Sequence, residues 1–150
     1  MGSHYRGTKV EIRALDAYIK LLRAAESVSA RTSQYLGATG LTLSQFGVLE
    51  ALLHLGPLCQ RALGEKILKS SGNITVVVDH LEKRGWVERK REGDDRRFVT
   101  VHLTPQGRRL IRGIFPRHAR AILKEMGALK PREQKQLGRL CRRLGLQKRK

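Results

Sequence analysis

Asn73, Thr75, Val76 and His80 share one side of the stretch 71–85 when it is wound at about 100° per residue, and Ile74, Val77, Val78 and Leu81 share the other. An asparagine carboxamide can bridge the edge of adenine, and a valine or threonine methyl can meet the methyl of thymine. A face this short, polar and hydrogen-bonding is the right size for a major groove. Asp79 lies on the same side, where it can pair with Lys83 one turn on or orient Arg97-type groups nearby; the pattern leaves both open. Arg89, Lys90, Arg91 and Arg96 are cations at a density that suits phosphate oxygens. Upstream, Lys69, Ser70 and Ser71, with the exposed amides of a helix start, suit phosphates too. All of this is the chemistry of binding, not of bond making.

Local signals build the elements that must present these groups. Ser71 is a good N-cap, and Gly85 sits where a left-handed residue would stop the helix. Residues 86–90 and 97–103 read as two strands, the second with Val99, Val101 and Leu103 on one face, around a charged tip whose Gly93-Asp94 supplies turn chemistry. A helix followed by such a hairpin suggests a winged helix-turn-helix. Before it, Thr42 and Gln45 form a capping box, Phe46, Leu49 and Leu53 continue the helix, and Gly56-Pro57 ends it. A short supporting helix runs to about Ile67, and its Gln60 and Arg61 fall where the first helix of such a motif crosses the DNA backbone. Cys59 lies near its start, either as a thiol activated by the helix N-terminus or as a small apolar side chain.

The flanks are helical. Leu15, Ile19 and Leu22 line a stripe through residues 10–35, widened by Tyr18, Leu21, Ala25 and Val28. Thr104-Pro105 opens a helix with Leu110, Ile111, Ile114 and Phe115 on one face; Pro116 should kink or interrupt it before Ala119, Ile122, Leu123 and Met126 resume the stripe. A last helix carries Leu137, Leu140, Cys141 and Leu144 together, a core or interface stripe. Residues 1–4 look vector-derived, and 1–8 are expected to be disordered.

The 150 residues suffice for one domain or two intimately packed lobes, and the net charge of +18 favours a polyanionic partner. The bland alternative is a surface made soluble by its cations. No apolar run is long enough to span a bilayer, and no secretory signal is present, so no membrane partner is expected. Two widely spaced cysteines make neither a disulfide framework nor a zinc site, and neither metal nor cofactor is expected. Metal-ligand spacing, a glycine-rich phosphate loop and a nucleophile elbow are all missing, which argues against an enzyme.

At these residues the chain resembles the MarR family of bacterial transcriptional regulators. Residues 41–49 (LTLSQFGVL) look like the family's second helix, and Ser71, Thr75 and the run from Asp79 to Val87 look like its recognition helix and the start of its wing. Asp95-Arg96-Arg97, then Val99, Val101, Leu103-Thr104 and Gly107, resemble its wing signature, and Pro116-Arg117-His118 matches a pattern in its fifth helix. The likeness runs from about Val10 to Leu146.

The resemblance implies a mainly α fold with a small β-hairpin wing: a winged helix-turn-helix over 41–104, a helical dimerisation region over 9–36 and 105–146, and a basic tail at 147–150. It implies a cytoplasmic, nucleoid-associated homodimer, a repressor of a pseudo-palindromic double-stranded DNA operator, released by a small aromatic effector. Arg97 matches the arginine that enters the minor groove, and Asp95 the acid that holds it. Many relatives carry arginine where this chain has Val76, which implies a more A·T-leaning site. Tyr18, Phe46, His54 and His118 could line the effector pocket or simply pack. Residues 55–60 and 67–73 resemble the subgroup responsive to quinones and catechols, which would make Cys59 the adduct site; peroxide sensors of the family carry their cysteine near the first helix, where this chain has none. The rival readings are a non-specific architectural DNA binder and a redox regulator acting through Cys59.

Overall fold

The computed structural model describes residues 4–67, 71–91, 93 and 98–146. The elements in order are α1 (Lys9–Ser33), a 3-10 helix (Gln34–Thr39), α2 (Leu43–Leu55), β1 (Leu58–Cys59), α3 (Gln60–Ile67), α4 (Ser71–Lys83), β2 (Val87–Arg91), β3 (Val99–Leu103), α5 (Pro105–Met126) and α6 (Pro131–Gly145). The fold is mainly helical with one antiparallel sheet of order β1-β3-β2. β1 adds a third strand to the expected hairpin, pairing Leu58 with Val101 and Cys59 with Thr100. Cys59 therefore ends a strand and stands just before α3, not inside its first turn.

The chain divides into two compact units, residues 33–118 and residues 1–32 with 119–150. The first holds the main core. Phe46, Val48, Leu49 and Leu52 of α2, Leu63 of α3, Ile74, Val78 and Leu81 of α4, Val87, Val101 and Ile111 are all buried. Each such side chain contributes about 1.5–3 kcal/mol by leaving water. The expected caps hold this core in register. Thr42 and Gln45 satisfy each other's backbone N–H groups at 3.2 and 3.0 Å. Gly85 stops α4 with φ +73°, a conformation that favours glycine. The Thr104 hydroxyl accepts from the Gly107 N–H at 3.0 Å and donates to the Gly85 carbonyl at 2.6 Å, so the start of α5 is tied to the end of α4.

In the second unit the Thr8 hydroxyl accepts from Glu11 N–H, and the Glu11 carboxylate accepts from Thr8 N–H at 2.8 Å. This capping box starts α1, so residues 4–8, expected to be disordered, include a helix signal. Arg31 pairs with Glu125 at 2.8 Å. No residue of α6 is buried; Leu137, Leu140 and Leu144 are exposed, as are Tyr18 and Leu22 of α1 and Leu123 of α5. Cys141 is exposed too, so its stripe is not core within this chain. Helix α5 runs through Pro116 without a break in its assignment, although the proline leaves the ladder one N–H short.

Gly107 packs where only a glycine fits: a Cβ there would sit 1.9 Å from the Trp86 carbonyl oxygen. Gly107→Ala should cost about 1–3 kcal/mol or more, read as a lower midpoint of thermal unfolding. Gly113→Ala, in the same helix but with nothing within 4 Å, should leave stability unchanged or raise it by up to about 1 kcal/mol.

Candidate nucleic-acid interface

Helix α4 sorts its residues as the periodicity predicts. Ile74 is 1% exposed and Val78 and Leu81 are fully buried, while Val76 is 53% exposed and Asn73, Thr75, His80 and Lys83 are exposed beside it. A methyl-bearing residue set among hydrogen-bonding ones is the surface a thymine-containing major groove can receive.

This surface is held from the hairpin side by Arg89. The guanidinium of this β2 residue donates to Asp79 at 2.5 Å, to Glu82 at 2.5 Å and to the side-chain oxygen of Gln60 at 2.8 Å. Its backbone N–H also reaches Glu82 at 3.1 Å. Gln60 passes the connection on, its amide donating to the Thr75 hydroxyl at 3.1 Å. One side chain thus ties the hairpin to both helices of the motif. The register explains how: Arg89 pairs with Val101 across the sheet, whose side chain is buried, and Asp79 and Glu82 stand one turn apart on α4.

Two residues expected to face phosphates are engaged within the motif. The donors of Arg89 are directed at two carboxylates and an amide, and 23% of its side chain is exposed. The Gln60 amide is likewise bonded inside the motif, to Arg89 and Thr75. Asp79 pairs with Arg89 of the hairpin and not with Lys83, while Arg97 lies outside the described residues. Lys90 and Arg91 point to solvent, Lys90 with Glu88 at 2.9 Å, and Arg61 is exposed with Glu65 at 3.3 Å. Lys69, Ser70, Asp95, Arg96 and Arg97 lie outside the described residues, and Ser71 is the first residue of α4. Glu82 and Arg84 act here without being among the residues expected from sequence. Arg84 stacks over Trp86 at 3.8 Å and donates to the Gly40 carbonyl at 2.8 Å, which pins the end of α4 to the loop before α2. Neighbouring charges in sequence give no signal for either.

A cavity of about 640 Å³ opens in the same unit, lined among others by Phe46, Glu50 and His54 of α2, Lys66 and Ile67 of α3, and His118. The His118 ring lies 4.5 Å from that of Phe46, and His54 lies 4.6 Å from Phe115. Phe46, His54 and His118 come together as expected. Tyr18 does not line this cavity and is exposed on α1. Burial pushes the His118 imidazole below its ordinary pKa, opposed by Glu50. Burial, with Glu50 assisting and Arg117 opposing, pushes the Tyr35 phenol up to about 12. Both groups are neutral at physiological pH. The Tyr35 hydroxyl and His118 Nδ1 are buried with no hydrogen-bond partner among the described residues.

A helix pair backed by an antiparallel hairpin, with the second helix presenting a polar exposed face, defines a winged helix-turn-helix protein. Comparison with known proteins narrows the class. A sequence model of the MarR family matches residues 39–97. YkoM, an HTH-type transcriptional regulator of Bacillus subtilis strain 168, is 36% identical over 134 residues, which cover 89% of this chain and 87% of YkoM. Among solved structures, Sco3205, a MarR family transcriptional regulator from Streptomyces coelicolor in complex with DNA, has a TM-score of 0.83 at 25% identity, over 97% of this chain and 94% of that one. BpsR of Bordetella bronchiseptica, whose DNA binding is regulated by 6-hydroxynicotinic acid, has a TM-score of 0.82 at 25% identity, over 97% of this chain and 100% of that one. The chain belongs to the MarR family of DNA-binding transcriptional regulators.

Arg89→Gln should lower stability by about 1–2 kcal/mol, since partly exposed pairs are discounted by solvent. It should weaken DNA binding without changing the slope of log K against log salt. Lys90→Gln and Arg91→Gln should each lower that slope by about 0.9 and leave the thermal midpoint in place. Fluorescence anisotropy across a salt series separates the two behaviours. The depressed His118 pKa has its own signature. Below the ordinary value of 6.5 the unfolded chain takes a proton that the folded chain resists, so this residue's contribution to stability falls as pH drops from there toward the folded pKa. His118→Phe should flatten that acid limb in pH-dependent denaturation curves.

Proposed function

We propose that the protein is a homodimeric repressor that reads a pseudo-palindromic operator and releases it when a small phenolic compound binds. The observation that carries this reading is the exposed row Asn73, Thr75, Val76 and His80, fixed against the wing by Arg89. Two copies related by two-fold symmetry would set two such helices into major grooves about one helical turn apart. Arg97, oriented by Asp95, enters the flanking minor groove, while Lys90, Arg91, Arg96 and Arg61, with Lys69, Ser70 and Ser71, hold phosphates. The exposed leucines of α6 and apolar residues of α1 supply the dimer face, since so much apolar surface calls for a partner. The protein works in the cytoplasm, on the nucleoid.

The cavity supports this effector class. Its aromatic wall stacks a flat ring, and the unpartnered His118 nitrogen takes or gives one hydrogen bond, which a phenolic hydroxyl can match in either sense. Glu50 and Lys66 place one charge of each sign in the lining. In BpsR the regulator is likewise a hydroxylated aromatic. Release requires only that the ligand prefer the arrangement that does not fit DNA, and its effect is capped by that preference. Cys59 favours a second route. It is partly exposed and lines a shallow depression with Gln60 and Arg89, so a quinone adduct or oxidation there would press on the clamp itself.

The test is anisotropy on the duplex upstream of the protein's own gene against a scrambled duplex at near-physiological salt. A preference of about 10³-fold or more is expected. Arg97→Ala should remove most of it with the fold intact, and phenols should release the specific complex. Equal binding to both duplexes would replace this reading with a general DNA binder. A Cys59→Ser protein that still releases DNA on quinone treatment would remove the thiol route.

A further inference from the structure

The positive charge is not concentrated where the DNA is read. The segments 1–32 and 119–150 carry 17 basic and 5 acidic residues, net +12; residues 33–118, with the whole winged helix, carry 14 and 8, net +6. Helix α6 shows how the excess is arranged. Wound at about 100° per residue, Leu137, Leu140, Cys141 and Leu144 fall on one face, and Arg132, Lys135, Arg139, Arg142 and Arg143 fall on the opposite one. All five cations are exposed, and none pairs with a carboxylate among the described residues. Arg132, Lys135 and Arg139 rim one shallow surface groove with Gln136 between them. Glu133, the one acid of the helix, is turned to its start, where it accepts from the Lys130 N–H at 2.6 Å.

We infer that this basic face of α6 is a second polyanion-binding surface and that its occupant is the phosphate backbone of duplex DNA outside the stretch read by α4. The inference rests on the proposed function in one respect: there the leucine face is consumed by the second copy of the chain. With its leucines covered, α6 has no apolar face to lay into a lipid surface, and what remains is a row of cations spaced along a rod. Such a row neutralises a row of phosphates, releases counterions and reads no sequence. The surface adds affinity and steep salt dependence without adding specificity, and it lets one bound protein hold a further length of duplex.

The test uses four forms of the full chain: unaltered, Arg132→Gln/Lys135→Gln/Arg139→Gln, Val76→Glu, and the two sets combined. Glutamine keeps helix propensity near that of lysine and arginine, and circular dichroism verifies that each form is folded. Each is titrated by anisotropy against a random-sequence duplex of about 40 base pairs, long enough to pass beyond one operator's length, over a salt series. The α6 substitutions are expected to lower the slope of log K against log salt by about two to three per protomer, and to do so equally with the reading helix unaltered or carrying Val76→Glu. An unchanged slope in both backgrounds overturns the inference. So does loss of binding to phosphatidylglycerol vesicles in the α6 variant with the DNA slope intact, which would assign the face to a membrane. If Val76→Glu has no effect on DNA binding, the proposed reading helix fails while the α6 result stands by itself.

Discussion

The winged helix-turn-helix depends on one buttressing cation, Arg89. Arg89 faces two carboxylates of α4 and an amide of α3, and through that amide it reaches the hydroxyl of Thr75. Without its charge, Asp79 and Glu82 would stand unneutralised beside a surface meant for a polyanion. With it, the acids become anchors that tie the hairpin to α3 and α4. The tolerance for a misplaced base contact is a fraction of an ångström, so such fixing matters more than any one additional phosphate contact.

The second tie works at the other end of the hairpin. Thr104 closes α5 onto Gly85, and Gly107 lets the helix approach the Trp86 backbone more closely than any side chain would allow. Arg84, stacked on Trp86 and bonded to Gly40, adds a third point. Helix α4 is therefore defined at its C-terminus by backbone packing and along its length by charge, which leaves its outer face free to be chemically modest.

What is legible in the sequence is what local chemistry decides. The two faces of α4, the Thr42 and Thr104 caps and the left-handed Gly85 each follow from a few adjacent residues. The destination of Arg89 is not legible, because it is set by strand register and by which side of α4 the sheet meets. In sequence it is one of three adjacent cations, Arg89, Lys90 and Arg91, and only the one paired with Val101 turns inward. β1 escapes notice because two residues carry no periodicity. The Thr8–Glu11 box escapes it because Thr8 closes a stretch, residues 1–8, whose first residues look vector-derived. Three of the four expected pocket residues converge because α2 and α5 present them at helical spacing; Tyr18 shares their chemistry but belongs to the other unit.

Helix α5 is continuous, yet residues 105–118 belong to one compact unit and residues 119–126 to the other. Pro116 sits two residues before that boundary and next to His118 in the cavity wall. An α-helix is stiff because each turn is stitched to the one before, and at Pro116 one stitch is absent. Bending compliance is thereby concentrated at this turn of α5. The gap that the proline leaves in the ladder of α5 thus falls in the turn that carries Phe115 and His118, whose rings lie 6.2 Å apart.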